Sequence, residues 1–359
     1  MKSCRIDYKN NVEKMPENNE FVVKDPYTQL RFNYNYIPFP SPDISAFTFI
    51  DLFAGIGGFR LAAQLNSGKC LFSSEWDYNA QITYHTNYGE LPYGDITQES
   101  VKNFIPEHFD ILFAGFPCQA FSIAGYQKGF NDTRGTLFFE IEQIVNSKRP
   151  AVLLLENVKN LVSHDKGNTF KVIMDILENK LKYNVFFKVL NSMTHANIPQ
   201  NRERIFIVAF DKQKVVKYNQ FSFPDPVPLT RTIHDILSTQ KQDDIYYYDK
   251  LHPYYDKLDS SIKSQDTIYQ WRRIYVRENK SNVCPTLTAN MGAGGHNVPI
   301  IRDNYGIRKL TPRECFLFQG YPEEFVLPDI AKSKLYMQAG NSVTMPLIQR
   351  IIKKIVEVL

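Results

Sequence analysis

Two short stretches of this chain set reactive or ligand-cradling residues where a strand gives way to a loop. The first runs Phe109-Asp110-Ile111-Leu112-Phe113-Ala114-Gly115-Phe116-Pro117-Cys118-Gln119-Ala120-Phe121-Ser122. Ile111 to Ala114 form a short apolar run, which predicts a strand covered on both faces. Pro117 has no N–H to give to a ladder, so the strand must stop before it. That places Cys118 at the carboxyl end of a strand, the edge where open α/β sheets bind ligands. A thiol there is a candidate nucleophile. A buried structural thiol is the competing reading, because free cysteine is among the most buried residue types.

The second stretch is Phe53-Ala54-Gly55-Ile56-Gly57-Gly58, between a strand and a helix. Backbone amides in that setting receive nucleotide-type ligands. A dinucleotide fingerprint would need a small residue at position 60, where Arg60 stands. The loop therefore fits an adenosyl ligand better than a dinucleotide. Glu75 ends the next strand at roughly the offset, about 20 residues, of a carboxylate that grips ribose hydroxyls. Trp76 offers a face for adenine, and Asp95 an acceptor for its amino group. Each could instead cap or pack, but three such groups at three consecutive strand ends point to one ligand.

These groups need a frame. Strands are expected at Phe47 to Phe53, Cys70 to Glu75, the Cys118 stretch, Ala151 to Glu156, Asn184 to Leu190 and Arg204 to Phe210. Gly94-Asp95-Ile96 closes a further unit. Helices are expected from Phe59 to Leu65, after an Asp77 cap through Tyr88, from Leu137 to Ser147, from Thr169 to Lys180, from Pro312 to Phe318, and from Met345 to Leu359. Strands alternating with helices imply an α/β fold with a doubly wound, mostly parallel sheet. After Phe210 the chain turns polar, Tyr-rich and Pro-punctuated to about position 305, which predicts a smaller, irregular second domain. Residues 1–45 read as an extension before the main fold.

Composition sets the bounds. The chain has 359 residues and a net charge of +4, so overall charge says little about partners. Cysteines stand at 4, 70, 118, 284 and 315 with no C-x-x-C pair, which argues against a zinc site or a disulfide framework and for a reducing compartment. The first residues lack the apolar core of a signal peptide. No apolar run is long enough to span a bilayer.

Six segments in order resemble the DNA (cytosine-5)-methyltransferases of bacterial restriction–modification systems. They are Phe49 to Gly58, Gly115-Phe116-Pro117-Cys118-Gln119, Glu156-Asn157-Val158, Gln200-Asn201-Arg202-Glu203-Arg204, Arg308 to Cys315, and Gln338-Ala339-Gly340-Asn341-Ser342-Val343. The resemblance runs from about Phe47 to Leu359 and leaves the extension outside.

The resemblance implies a class I S-adenosylmethionine-dependent fold. Residues 46–210 would form the catalytic and cofactor-binding domain and 211–328 a target-recognition domain. Residues 329–359 would return to the catalytic domain. It implies that Cys118 attacks carbon 6 of cytosine and that Glu156 serves ring N3. Arg204 would hold O2, with Asn157 and Arg202 supporting the pocket. S-adenosylmethionine would lie against Asp51, Phe53, Gly55, Gly57, Gly58, Glu75, Trp76, Asp95, Ile96, Pro117, Leu137, Asn341 and Ser342. The segment from Gln119 to Gly135, with Gly125 and Gly129, would close over a flipped-out base. No metal is implied. The expected setting is a monomer in a prokaryotic cytoplasm, associated with double-stranded DNA. A cognate restriction endonuclease would be a functional partner.

The basic–aromatic run Gln270-Trp271-Arg272-Arg273-Ile274-Tyr275-Val276-Arg277 fits a nucleic-acid face. Counting on to Lys280, Arg302 and Arg308, cations outnumber Glu278 and Asp303 in this region. Pro285 to His296 resembles the family's recognition segment, a Thr-Leu pair before a Gly-rich loop. Gln119, Ser122, Arg272, Arg273, Arg277, Thr288, Asn290 and His296 are the expected DNA contacts. A tRNA methyltransferase on the same scaffold is the nearest alternative, and the reader-like segment favours DNA. Intact Cys118, Glu156 and Arg204 oppose a non-catalytic DNA-binding relative. Arg60 and Pro117-Cys118 oppose a nicotinamide oxidoreductase.

Overall fold

The computed structural model describes residues 36–117, 137–279, 282–294 and 297–359, plus the backbone of two short paired strands, Val22–Asp25 and Thr28–Arg31. Cys118, Gln119, Ser122, His296 and the segment from Gln119 to Gly135 lie outside the described residues.

The alternation read from the sequence builds a six-stranded sheet. Its strands are β1 (Phe47–Leu52), β2 (Gly68–Ser74), β3 (Ile111–Gly115), β4 (Val152–Val158), β5 (Asn184–Asn191) and β6 (Glu203–Phe210). The order is β2-β1-β3-β4-β6-β5. The first four are mutually parallel, and β6 runs antiparallel to both β4 and β5. Successive residues of each central strand enter opposite cores. Phe49, Ile111, Phe113 and Leu154 fall in one cluster, and Ile50, Leu112, Ala114 and Leu155 in the other. Both faces are covered, which is why these strands read as continuous apolar runs.

Helices close both faces. α1 (Gly58–Gln64) and the C-terminal helix cover the first, through Phe59, Ala62, Leu347, Ile351 and Ile355. α2 (Tyr78–Tyr88) packs there too, starting on Asp77, whose side chain accepts from the Ala80 amide at 2.9 Å. α3 (Leu137–Lys148) and α4 (Asn168–Asp175) cover the second. α4 was expected to reach Lys180 as one regular helix. It instead widens into a π-type turn at Ile176–Lys180, closed by Leu181 N–H to the Ile176 carbonyl at 2.8 Å. The wider turn keeps Ile173, Ile176, Leu177 and Leu181 all buried against the sheet.

The unit expected at Gly94-Asp95-Ile96 is not a strand. Tyr93 alone bridges to Ser74, because Pro92 cannot donate and the chain turns away at once. α5 (Pro312–Phe318), α6 (Lys332–Asn341) and α7 (Met345–Val356) complete the chain. The polar stretch carries a four-stranded antiparallel sheet of β7 (Tyr269–Arg272), β8 (Tyr275–Glu278), β9 (Ile300–Asp303) and β10 (Gly306–Lys309), ordered β8-β7-β9-β10. After the composition break at Phe210, Leu258, Ile262, Tyr269, Ile300 and Ile307 form a small core of their own, while Ile268, Leu287 and Met291 share the large cluster with Phe49 and Ile351.

Candidate active site

Register brings the chemistry to one edge of the sheet. Leu52 pairs with both Ser74 and Ala114, and Gly115 pairs with Glu156. Since β6 is reversed, its early residue Arg204 lies across from Val158 at that same carboxyl edge.

The β1–α1 turn is built from left-handed residues, with Phe53, Gly55 and Gly57 at φ 56°, 55° and 82°. Gly57 is also pressed by a neighbour. A Cβ there would lie 2.4 Å from the Tyr88 ring, whose hydroxyl donates to the Gly57 carbonyl at 2.7 Å. A Cβ on Gly58 would meet Tyr321 and Val343 at 2.7 Å. Ser342 thus returns to this loop, with its hydroxyl 2.6 Å from that of Tyr321. Asn341 beside it is exposed. Glu75 ties the second strand to the loop, accepting from the Gly55 and Asp77 amides at 2.8 Å each. Burial pushes its carboxyl above the usual range, against those amide bonds. Each carboxylate oxygen retains a second lone pair for a ligand hydroxyl.

Asp51 is the anomaly of this half-site. It is wholly buried, and neither carboxylate oxygen has a hydrogen-bond partner. Burial raises its carboxyl well above the usual range, opposed by Arg60. An orphaned buried carboxylate beside a glycine cradle fits a ligand that brings a cationic donor. Trp76 is 77% exposed, so its face is free to stack. Asp95 is exposed and turns back to the Thr97 amide at 2.9 Å, while Ile96 is buried. Asp95 therefore does not end a strand as Glu75 does. Arg60, the bulky residue where a dinucleotide fingerprint needs a small one, finds partners of its own. Its guanidinium is fully buried, bonded to both Glu90 carboxylate oxygens at 2.8 Å, and lies over the Tyr88 ring at 4.7 Å.

The other half-site centres on Glu156. Its carboxylate pairs with the Arg204 guanidinium, Oε1 to Nε at 3.1 Å. Burial raises its pKa above the ordinary glutamate range, although Arg204 and Arg202 pull the other way. Asn157 points elsewhere. Its amide donates to the Phe116 carbonyl at 2.8 Å, bracing the backbone just before Pro117 and Cys118. Pro117 is exposed, and Leu137 is half-buried at the start of α3. Three further cysteines are described. Cys70, Cys284 and Cys315 are free and buried, and burial pushes the Cys70 thiol up to about 12.

Arg202 and Arg204, two residues apart, have different environments. Arg202 is buried and donates to the carbonyls of Leu287, Gly340 and Ser342 at 2.7, 3.1 and 2.6 Å. It joins the β6 approach, the Thr-Leu segment and the Asn341-Ser342 turn. The Thr-Leu segment is further fixed by the Gln200 side chain, which accepts from the Leu287 amide at 3.1 Å. A Cβ on Gly340 would lie 2.1 Å from the Thr288 carbonyl carbon, so only glycine lets α6 approach. Thr288 and Asn290 remain exposed.

The arginine patch is narrower than charge counting suggested. Arg302 pairs with Asp259 and donates to the Ile262 carbonyl at 2.8 Å. Arg308 is fully buried between Asp303 at 2.6 Å and Glu314 at 2.8 Å. Both are architectural, because a desolvated guanidinium needs fixed acceptors. Among the described arginines of this run, Arg272, Arg273 and Arg277 on the β7–β8 hairpin are exposed. Gln270 Oε1 accepts from Arg272 at 3.0 Å and Arg277 at 2.9 Å, holding both on one face. Sequence reading missed the Arg308–Glu314 bolt. Its signal was legible, since Thr311-Pro312-Arg313-Glu314 is a capping box with proline at the first helical position, and both box bonds form.

With that geometry in place, the comparisons are specific. Residues 47–357 match the model of the C-5 cytosine-specific DNA methylase family. The chain is 54% identical over 310 residues to the Type II methyltransferase M.Bsp6I of Bacillus sp. (strain RFL6), covering 85% of this chain and 96% of that protein. It is 45% identical over 332 residues to M.HpaII of Haemophilus parainfluenzae, covering 87% and 89%. In fold it is similar to the S. pombe Dnmt2 methyltransferase, with a TM-score of 0.65 at 18% identity over 86% of this chain and 98% of that one. The chain belongs to the C-5 cytosine-specific DNA methylase family and is a DNA (cytosine-5)-methyltransferase.

Proposed function

We propose that this enzyme transfers a methyl group from S-adenosylmethionine to carbon 5 of a flipped-out cytosine in double-stranded DNA, through a covalent adduct with Cys118. The observation that carries this reading is the Glu156–Arg204 pair at the edge where β3 leads into Pro117 and Cys118. The protonated carboxyl favoured by burial suits a group that must donate to ring N3. Arg204 suits the acceptor O2, and Asn157 fixes the backbone that delivers the thiol.

The chain's residues then act in sequence. The Cys118 thiolate adds to carbon 6, and the ring electrons move to N3, where Glu156 supplies the proton. Carbon 5 becomes nucleophilic and accepts the methyl group. A base removes the carbon 5 proton, the carbon–sulfur bond breaks to release the thiolate, and N3 returns its proton to Glu156. Bound S-adenosylmethionine would supply the methyl group on a sulfonium, whose methyl–sulfur bond breaks as carbon 5 is alkylated and leaves the neutral thioether S-adenosylhomocysteine. Asp51 offers its orphaned carboxylate to the cofactor's ammonium, Glu75 its remaining lone pairs to the ribose, and Trp76 its exposed face to the adenine. Phe53, Gly55, Gly57, Gly58, Asp95, Ile96, Pro117, Leu137, Asn341 and Ser342 complete that surface in this reading.

Flipping the base costs a few kcal/mol of pairing and stacking. Contacts to the duplex repay it. The Arg272, Arg273 and Arg277 hairpin and the exposed Thr288 and Asn290 support a reading face, with Gln119, Ser122 and His296 as further expected contacts. The Type II relatives support a role as the modification half of a restriction–modification system, and in this reading the chain acts as a monomer on cytoplasmic DNA with an endonuclease as functional partner. Among the described residues no helix is long and apolar enough to cross a membrane, and no His, Cys, Asp and Glu group could hold a metal.

The direct test supplies the full chain with methyl-labelled S-adenosylmethionine and either duplex DNA or tRNA. Label is expected on carbon 5 of cytosine in DNA, confined to one short sequence by bisulfite mapping. Label on tRNA, or on an exocyclic nitrogen, would overturn the proposal. The cofactor loop makes a separate prediction. Gly57→Ala must hold a left-handed φ of 82° and press a methyl group into the Tyr88 ring. Strain of that kind costs about 1–3 kcal/mol, so the dissociation constant of S-adenosylmethionine should rise about tenfold or more. Equilibrium dialysis measures it, and an unchanged constant would remove this loop from the cofactor site.

A further inference from the structure

The family match begins at residue 47, yet the residues just before it are built into the cofactor side of the molecule. The Phe39 amide donates to the Asn87 carbonyl at 2.9 Å. The Phe39 ring lies between Tyr88 and Phe325, with centroids 6.3 and 6.1 Å away. Ile37 fills the space over Gly89, where a Cβ would meet its Cδ1 at 2.5 Å. The Gln64 side chain donates to the Phe39 and Pro40 carbonyls at 3.2 and 2.9 Å. Asn87 in turn exchanges two 2.8 Å bonds with the backbone of Val326.

Both lines of contact end at the cofactor loop. Tyr88, braced on one side by Phe39, donates its hydroxyl to the Gly57 carbonyl at 2.7 Å. Gln64, held by the two carbonyls, accepts from Arg60 Nε at 2.6 Å, and Arg60 lies over the same Tyr88 ring at 4.7 Å. Gly57 is the left-handed cap of α1, and Arg60 and Gln64 are on that helix. A tyrosine that is free to tilt would release the carbonyl that fixes the turn.

We infer that residues 37–40 form a strap that positions the S-adenosylmethionine loop, with Phe39 acting through Tyr88 on Gly57. The strap deepens the cofactor reading above and rests on it. Phe39 is a positioning residue, half-buried at the surface, so its loss should leave the fold intact.

The test uses the full chain with S-adenosylmethionine as the probe. Tilted and stacked aromatic contacts are worth enough that Phe39→Ala should raise the cofactor dissociation constant about threefold to tenfold. KM for the cofactor should rise in parallel, while kcat at saturating cofactor and KM for DNA stay at wild-type values. Amide hydrogen exchange should quicken at residues 57–61, and Phe39→Tyr should restore both readouts. Phe39→Leu, which keeps apolar bulk and loses the ring, should show the same split on a smaller scale if the alanine variant does not purify folded. An unchanged dissociation constant, or a fall in kcat and melting temperature without any change in cofactor binding, overturns the strap. Failure of the wild-type chain itself to bind S-adenosylmethionine would appear before any variant is made, and would overturn the cofactor reading on which the strap rests.

Discussion

Cys118→Ser should abolish methyl transfer to duplex DNA, by at least about 10³-fold on the scale typical of a removed nucleophile, while S-adenosylmethionine binding stays near its wild-type value. A serine hydroxyl is scarcely ionised at neutral pH, whereas a thiolate is accessible and strongly nucleophilic. The described cysteines are poor substitutes. Cys70, Cys284 and Cys315 are buried, and burial raises all three thiols, the last two well above the usual range. Duplex DNA carrying 5-fluorocytosine cannot lose its carbon 5 substituent, so it should trap the wild-type chain and leave Cys118→Ser free. Mass spectrometry of the trapped peptide decides the point. An adduct on Cys284 or Cys315, or near-normal turnover by the serine variant, would move the nucleophile elsewhere.

Glu156→Gln should lower kcat by about 10²–10⁴, the usual contribution of a positioned acid. The amide keeps the shape and can still accept from Arg204, so the loss reports proton transfer rather than collapse. The pH dependence carries a second signature. Burial raises the Glu156 carboxyl, against Arg204 and Arg202, so it stays protonated to higher pH than a free glutamic acid. Activity that needs the protonated form is complete below that raised pKa and is lost as pH rises through it. Thiol ionisation gives the opposing limb, which rises with pH. Wild-type enzyme should therefore show a bell, and Glu156→Gln only the rising side. Profiles of kcat measured at saturating DNA and cofactor separate the two, and an intact bell in the variant would assign the falling limb to another group.

The features legible in one dimension are local. Apolar runs of strand length, the left-handed glycine turn after β1, the Asp77 cap and the helix at Pro312–Phe318 each depend on a few neighbouring residues, and each forms as read. Glu75 meets the Gly55 amide for the same reason, because the strand–turn–helix spacing sets it beside that loop. The six motifs in family order identified the activity without any fold.

Which polar group is desolvated, and which partner meets it, depends on segments far apart in the chain. Arg202 and Arg204 stand two residues apart, yet one bonds a carbonyl 85 residues away and the other pairs with Glu156. Arg302 and Arg308 added to a charge count but are held by Asp259, Asp303 and Glu314, whereas the described hairpin arginines are exposed. Arg60 looked like a misfit in a glycine motif and is a buried cation between Glu90 and two tyrosine rings. Residues 36–40 carry no periodicity that betrays their docking on Tyr88 and Phe325. A charge or a ring is visible in one dimension, but its solvation and its partner are set by segments that meet only when the sheet and its helices close. The energy of a polar side chain depends chiefly on those two.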